Sequence, residues 1–327
     1  MATIKDLAKY CNVSISTVSY ALNDSDEISV ETKERIKKAA KELNYVPNAY
    51  ARGLKRRQTY NIGVVISGFE GPIHHNVLAG IASELTALNS KYNMLVTLSD
   101  EKMFLVKEKS VDLAIIMDSK ANNDIIIELS KIVPIITFDH YITGDNIYNT
   151  TIDNMQGIYL ETMNLISKGC KKVAYLLGSK HSCHNKKRFE GYVKALEENN
   201  IKFDDSIVFD ADAFTELRGF EVINDIAYKN QTLPFDSLIC ANDELAIGAI
   251  KALKANGVRV PEDVLVAGFD NIEIGEYMSP TLSTVAVNWK EYGATMARLA
   301  LDILNHNECG AITVPVQIIE RESSKIS

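Results

Sequence analysis

From Asn61 onward, short β-branched apolar runs alternate with amphipathic stretches, and this alternation limits the fold more than any other feature. Ile62–Ile66, Met94–Leu98, Leu113–Met117 and Ile135–Phe138 are such runs, and segments like 77–92 separate them. A run apolar at nearly every position suits a strand buried on both faces, and helix-length spacers suit parallel βαβ units. The cycle repeats with Val173–Leu177, Ile207–Phe209, Leu238–Cys240 and Val264–Phe269. The expected body is a two-lobed α/β unit of doubly wound parallel sheets. Ligands of such sheets sit in a cleft at the carboxyl ends of the strands.

No stretch approaches the roughly 18–20 continuous apolar residues of a membrane span. The opening Met1-Ala-Thr-Ile-Lys-Asp6 lacks the basic-then-apolar form of a signal peptide. The five cysteines are scattered and odd in number, which argues against a disulfide framework. These features lead us to expect a cytoplasmic protein with no membrane partner.

Charge separates the first 60 residues from the rest. They carry 11 Lys and Arg against 7 Asp and Glu, while the remainder carries 24 against 36. A small basic head on an acidic body suggests that the head alone meets a polyanion. Thr3 and Asp6 form a capping pair, followed by Ile4, Leu7, Ala8 and Cys11 on one helical face. Asn12-Val13-Ser14 breaks the pattern, and a second short helix is expected from about Ser16 to Leu22 with Val18, Ala21 and Leu22 inward. Ser29 caps a third, with Thr32, Ile36, Ala39, Ala40 and Leu43 as its apolar stripe. This is the helix-turn-helix pattern, which lays its second helix in the DNA major groove. Ile15, Ser16, Thr17, Ser19 and Tyr20 are left to face outward. Periodicity alone also allows a three-helix protein-binding module.

Pro47 opens a further segment in which Asn48 through Lys55 make about two helical turns. So short a helix is marginal in water, and Gly53 weakens it further. Leu54, beside the basic cluster Lys55-Arg56-Arg57, has no evident core to enter and suits a wedge between base steps of the minor groove. A flexible basic linker is the alternative.

The runs Ala2-Thr-Ile-Lys-Asp-Leu-Ala8, Val13-Ser-Ile-Ser-Thr-Val-Ser-Tyr-Ala-Leu-Asn23, Leu43-Asn-Tyr-Val-Pro-Asn48 and Ile62-Gly-Val-Val65 resemble the lactose-repressor/galactose-repressor family of bacterial transcription regulators. The resemblance covers essentially the whole chain. It implies a helix-turn-helix domain over 1–46, a hinge helix and linker over 47–59, and an effector-binding and dimerisation domain over 60–327. The first lobe would hold about 60–153 and 284–315, the second about 154–283 and 316–327. It further implies DNA contacts from Thr3, Ser14, Ile15, Ser16, Thr17, Ser19, Tyr20 and Asn23 in the head, and from Asn48, Ala51, Leu54 and Lys55 in the hinge. The expected partners are pseudo-palindromic double-stranded operator DNA, a second copy of the chain and a small-molecule effector, with sugar the leading class. A purine-like ligand or a phosphoprotein co-repressor is the alternative. No cofactor and no metal are expected.

Asp139, Arg188, Phe214, Asn242 and Asp270 follow strand ends or open helices, and the resemblance matches them to effector positions. Carboxylates, an amide and a guanidinium can grip vicinal hydroxyls while a ring covers the C–H face of a sugar. Taken singly, each polar residue could be a cap or turn former. Pro72, Ile73 and His74 follow the first strand at another effector position, and His184, in a polar loop above the pocket, completes the expected set. Four departures from the family pattern stand out. Tyr20 replaces a guanine-reading arginine, and Ile15-Ser16 is not a guanine-reading pair. Val287 stands where a sugar-contacting glutamine is common. The segment between Leu98 and Val111 is roughly ten residues short, so the second helix of the first lobe should be stunted.

No phosphate-binding or nucleophile-elbow motif occurs, so no enzymatic activity is expected. Asp139-His140 could form an acid/base pair only if adjacent side chains converged. His181-Ser-Cys183-His184 lacks the second ligand set that a zinc site requires. A solute-binding protein or enzyme with an incidental helical head is the reading from a different class.

Overall fold

The computed structural model describes residues 2–46, 58–69, 71–99, 103–229 and 232–326. It divides into two compact units, Met1–Thr59 and Tyr60–Ser327. The expected hinge residues Asn48, Ala51, Leu54 and Lys55 lie outside the described residues.

The first unit holds α1 (Ile4–Tyr10), α2 (Ile15–Leu22) and α3 (Val30–Glu42). Thr3 and Asp6 form a reciprocal capping box on α1. Asn12 takes a left-handed φ of 52° in the turn before α2, a conformation asparagine tolerates. Ser14 caps α2, which therefore begins one residue earlier than the periodicity suggests, and Ser29 caps α3. Leu7, Ala8, Cys11, Val18, Ala21, Ile36, Ala39 and Ala40 make one buried core. Ile4, Val13 and Leu22 pack against it only partly buried.

The second unit is built on two six-stranded sheets. The first contains β1 (Asn61–Ile66), β2 (Asn93–Leu98), β3 (Leu113–Met117), β4 (Ile135–Thr137), β5 (Ile147–Ile152) and, from near the C-terminus, β11 (Ile312–Val314). Its spatial order is β11-β5-β4-β3-β1-β2, and every pairing is parallel. The second contains β6 (Val173–Leu177), β7 (Val208–Asp210), β8 (Ser237–Cys240), β9 (Leu265–Asp270), β10 (Ser283–Ala286) and β12 (Gln317–Ile319). It repeats the pattern as β12-β10-β9-β8-β6-β7, with β12 antiparallel to β10. β10 lies wholly in the second sheet, so the expected lobe boundary at 284 falls inside a second-lobe strand. The chain crosses between lobes after β5, after β10 and between β11 and β12.

The helices of this unit are α4 (Pro72–Ala87), α5 (Phe104–Lys107), α6 (Asn123–Ser130), α7 (Asn154–Ser167), α8 (Cys183–Glu198), α9 (Glu216–Lys229), α10 (Asp243–Ala255) and α11 (Trp289–Leu304). α5, in the shortened segment, is a single turn, as the missing residues require. α4 and α11 pack closely because Gly80 and Gly293 carry no side chain. A Cβ at either would lie 2.0 Å from a carbonyl oxygen of the facing helix, that of Lys290 or Val77.

Sequence runs located β1 to β4, β6, β8 and β9 to within a residue or so. Ile207 belongs to a short helical turn, and β7 starts at Val208.

Candidate functional site

In both sheets the strand order reverses beside the first strand of the lobe, β1 or β6. The carboxyl ends of the strands face one cavity of about 240 Å³ between the lobes. All nine expected effector residues line it: Pro72, Ile73, His74 and Asp139 from the first lobe, and His184, Arg188, Phe214, Asn242 and Asp270 from the second. Ser67, Met117, Ser119, Phe138, Ser182, Glu244 and Trp289 also line it, outside the expected set. Most lie one to three residues from a residue singled out or directly after a strand, so the strand-end rule was the available signal. Trp289 could not be found that way, because it comes from a lobe crossover.

Arg188, on α8, is the organising cation. Its Nε donates to Asn154 Oδ1 at 2.8 Å, Nη1 to the Ala241 carbonyl at 2.6 Å and Nη2 to Asp270 Oδ1 at 3.3 Å. The guanidinium lies 3.6 Å from the centroid of the Phe269 ring. Arg188 is therefore held by α7, the residue that follows β8, and β9 before any ligand arrives. Asp270 ends β9 at a φ of 117°, a conformation that costs a non-glycine residue energy. Its backbone carbonyl accepts from Trp289 Nε1 at 3.0 Å. Burial pushes its carboxyl up to about 7, and Arg188 opposes the shift.

Asn242 is a cap as well as a lining residue: its Oδ1 accepts from the Leu245 N–H at 3.0 Å at the start of α10. Next to it, Asp243 is buried beneath the site. Its Oδ1 accepts from the Thr284 hydroxyl at 2.6 Å and its Oδ2 from the Ile272 N–H at 2.9 Å. Burial, then the charge of Asp270, raises the Asp243 carboxyl well above the usual range. The Asp243 carboxyl group fixes the turn after Asp270 and ties β10 to α10. Phe214 lies over Gly178, where a Cβ would fall 2.1 Å from the ring.

Across the cleft, Asp139 Oδ1 accepts from the His184 backbone N–H at 2.8 Å, in the first turn of α8. The His184 ring packs edge-on against Phe138 with centroids 5.2 Å apart. Burial lowers its pKa, with Asp139 opposing, so the ring is neutral near pH 7. His184 Nε2 is a buried polar atom without a hydrogen-bond partner, 3.7 Å from Asp139 Oδ1. An unpaired buried nitrogen costs stability unless something in the cavity pairs with it.

Asp139 and His140 do not act together. His140 Nδ1 meets Asn123 Oδ1 and its Nε2 the Asp118 carbonyl, both at 2.8 Å. Among the described residues no His, Cys, Asp and Glu side chains group to hold a metal ion. Val287 lies outside the cavity and lines a separate groove beside the crossovers with Asn271, Asn288 and Lys290.

In the head, Thr3 and Ser14 are exposed caps, and Ser16 is exposed on α2. Ile15 and Tyr20 are 45% and 39% exposed. Thr17 and Ser19 are half-buried, and Thr17 Oγ1 pairs with Ser14 Oγ at 2.8 Å. Asn23 ends α2 and donates back to the Ser19 carbonyl at 2.7 Å.

A helix-turn-helix head joined to a two-lobed α/β body with a polar interlobe cavity defines the class of ligand-responsive DNA-binding regulators. The model for bacterial regulatory proteins of the lacI family matches residues 3–48, and that for a periplasmic binding protein-like domain matches residues 162–324. The HTH-type transcriptional regulator RegA of Clostridium saccharobutylicum is 33% identical over 99% of this chain and 100% of its own. A complex of the transcriptional regulator CelR with cellobiose is 26% identical with a TM-score of 0.74, covering 99% of this chain and 100% of that one. The lac repressor dimer bound to operator and the anti-inducer ONPF superimposes with a TM-score of 0.84 at 24% identity over 99% of both chains, which speaks for the fold. The chain belongs to the lacI family of bacterial regulatory proteins and is a DNA-binding transcription regulator with an effector-binding body. Among the described residues no helix is long and apolar enough to cross a membrane.

Proposed function

We propose that this chain is a homodimeric, cytoplasmic repressor whose affinity for a pseudo-palindromic operator is set by a sugar held in the interlobe cavity. The domain roles are those expected from the sequence: 1–46 reads DNA, 47–59 forms the hinge, and 60–327 binds effector and dimerises. Ile15, Ser16, Thr17, Ser19 and Tyr20 would face the major groove, with Thr3, Ser14 and Asn23 nearer the phosphates. Asn48, Ala51, Leu54 and Lys55 would serve the minor groove. No step in this function calls for a catalytic residue.

One observation carries the effector reading: all nine expected residues line one cavity, and they come from both lobes. The polar groups suit a neutral polyol. Arg188 has three of its donor positions committed to the protein, so it offers little to a free anion. Asp139, Asp270 and Glu244 supply carboxyl oxygens, and neutral His184 supplies a ring nitrogen. Phe214 and Trp289 supply apolar faces for C–H groups. That one similar regulator was crystallised with cellobiose supports the sugar class. Three rings at the cavity, those of Phe138, Phe214 and Trp289, also favour a planar base as the second reading.

A ligand touching both Asp139 and Arg188 bridges the lobes and selects one lobe arrangement. It shifts operator affinity by its difference in affinity between the arrangements, and by no more.

The test is a thermal-shift screen of neutral sugars, with nucleobases and sugar phosphates as separate arms. Hits would be titrated by calorimetry and then added to a gel-shift assay. A neutral sugar that binds, loses affinity in Asp139→Ala and alters operator binding is the expected result. Hits confined to sugar phosphates, or parent-like affinity in Asp139→Ala, would remove the sugar assignment.

A further inference from the structure

The recognition helix lacks the side chains that read bases most strongly. α2 is Ile-Ser-Thr-Val-Ser-Tyr-Ala-Leu, with no arginine, lysine, asparagine or glutamine. Bidentate contacts to guanine or adenine need one of those groups. Val18 and Ala21 are fully buried in the head. Thr17 is engaged with the cap, where its N–H donates to Ser14 Oγ at 3.0 Å and its hydroxyl pairs with the same atom. Ser16 can offer one hydroxyl at a time.

Ile15 stands apart from these. It is the first residue of α2, immediately after the cap, where a helix of this class meets base edges. It is 45% exposed, and the head's hydrophobic core does not include it. Its side chain is entirely apolar. In the major groove only one base edge displays an apolar group, the C5-methyl of thymine.

We propose that Ile15 determines specificity by packing against a thymine methyl in each operator half-site. This rests on the reading that α2 enters the major groove, and it goes further by naming the base and the atom recognised. The resulting readout is made of methyl contact and single hydroxyl bonds. It should therefore discriminate shallowly at each position and favour A·T pairs under the start of α2.

The test uses the full chain. Duplexes are selected from a random library, and each thymine of the selected operator is then replaced singly by deoxyuridine, which removes the methyl and nothing else. Binding is titrated by fluorescence anisotropy for the parent, Ile15→Ala and Ile15→Val. One thymine per half-site should be sensitive, its replacement weakening parent binding about fourfold, the worth of one buried methyl-sized group. Ile15→Ala should be indifferent to that replacement, and Ile15→Val should keep most of the sensitivity. Because Ile15 is exposed, both variants should melt with the parent. A selected operator without a sensitive thymine, or equal sensitivity in Ile15→Ala, would overturn the assignment. A library that enriches no duplex would overturn the DNA-binding reading, and this assignment with it.

Discussion

The two lobes share one strand order and differ in how the groups that face the cavity are held. In the second lobe, the 14-residue α9 links β7 to β8 and packs against α10; in the first, the 4-residue α5 is the one helix between β2 and β3 among the described residues. Second-lobe polar groups are cross-tied: Arg188 to Asn154, Ala241 and Asp270, and Asp243 to Thr284 and Ile272. Of the first-lobe contributors, Asp139 accepts from the His184 backbone N–H across the cleft, and Pro72, Ile73 and His74 sit in the first turn of α4. The second lobe thus presents a set of polar groups fixed within itself, while the first meets it through Asp139, tied across the cleft to α8.

The sharpest way to break this comparison is Arg188→Ala. Asp270 would stay buried with its principal counter-charge gone, and breaking a buried pair in this way typically costs about 3–5 kcal/mol. Urea denaturation should show that loss, and calorimetry should show no binding of the screened effector. A variant with parent stability would mean that Arg188 is held less firmly than its three bonds imply.

A second test uses a buried acid. Glu161 on α7 is fully buried, its Oε2 has no partner, and Asn164 donates to its Oε1 only at 3.5 Å. Burial pushes its carboxyl up to about 7 from an ordinary 4.5. The folded chain thus keeps a proton that the unfolded chain releases. Stability from this group is full below about pH 4.5 and is lost as pH rises through about 7. Asp270, also raised to about 7, adds to the same slope. Glu161→Gln should therefore gain up to about 3 kcal/mol over the parent at pH 8, with little gain at pH 5. Denaturation curves at the two pH values decide it, and an equal effect at both would show that the carboxyl is already ionised.

His74→Ala probes the first lobe. If His74 selects among ligands without supporting the fold, melting should stay within a degree or two. Affinity for the screened effector should fall by about tenfold or less, the worth of one hydrogen bond. A large drop in melting temperature would place His74 among the structural residues.

These contrasts were unequally legible in the sequence. Strands apolar at every position announced themselves, since only burial on both faces tolerates such a run. β5 escaped because Ile-Tyr-Asn-Thr-Thr-Ile mixes polar side chains into a strand whose Asn149 and Thr150 hydrogen-bond to neighbouring groups. β10, β11 and β12 are three or four residues long, too short to carry a period, and only the family resemblance anticipated their return. At the site, strand ends pointed to Asp139, Asn242 and Asp270. No pattern within a segment could show that Asp243 braces Asp270 from below, or that Trp289 reaches in from a crossover, because both depend on contacts far apart in sequence. The doubt between cap and ligand contact resolved unevenly: Asn242 does cap α10, whereas Arg188 caps nothing and joins three elements.

The smallest expected effect compares the two outer strands. Leu98 ends β2 and is half exposed. Phe209, in the corresponding β7, is partly buried against the second-lobe core, with its ring 5.9 Å from that of Phe235. Leu98→Ser should change stability by no more than about 0.5 kcal/mol, as surface substitutions usually do. Phe209→Ser removes a packed ring and should cost about 2 kcal/mol or more. Thermal and urea unfolding of both variants, each at low and high protein concentration, completes the comparison. Equal losses would mean that β2 is covered as well as β7. If the Leu98→Ser loss grew with protein concentration, the cover would be a second subunit, and the exposed strand of the single chain would be part of the dimer.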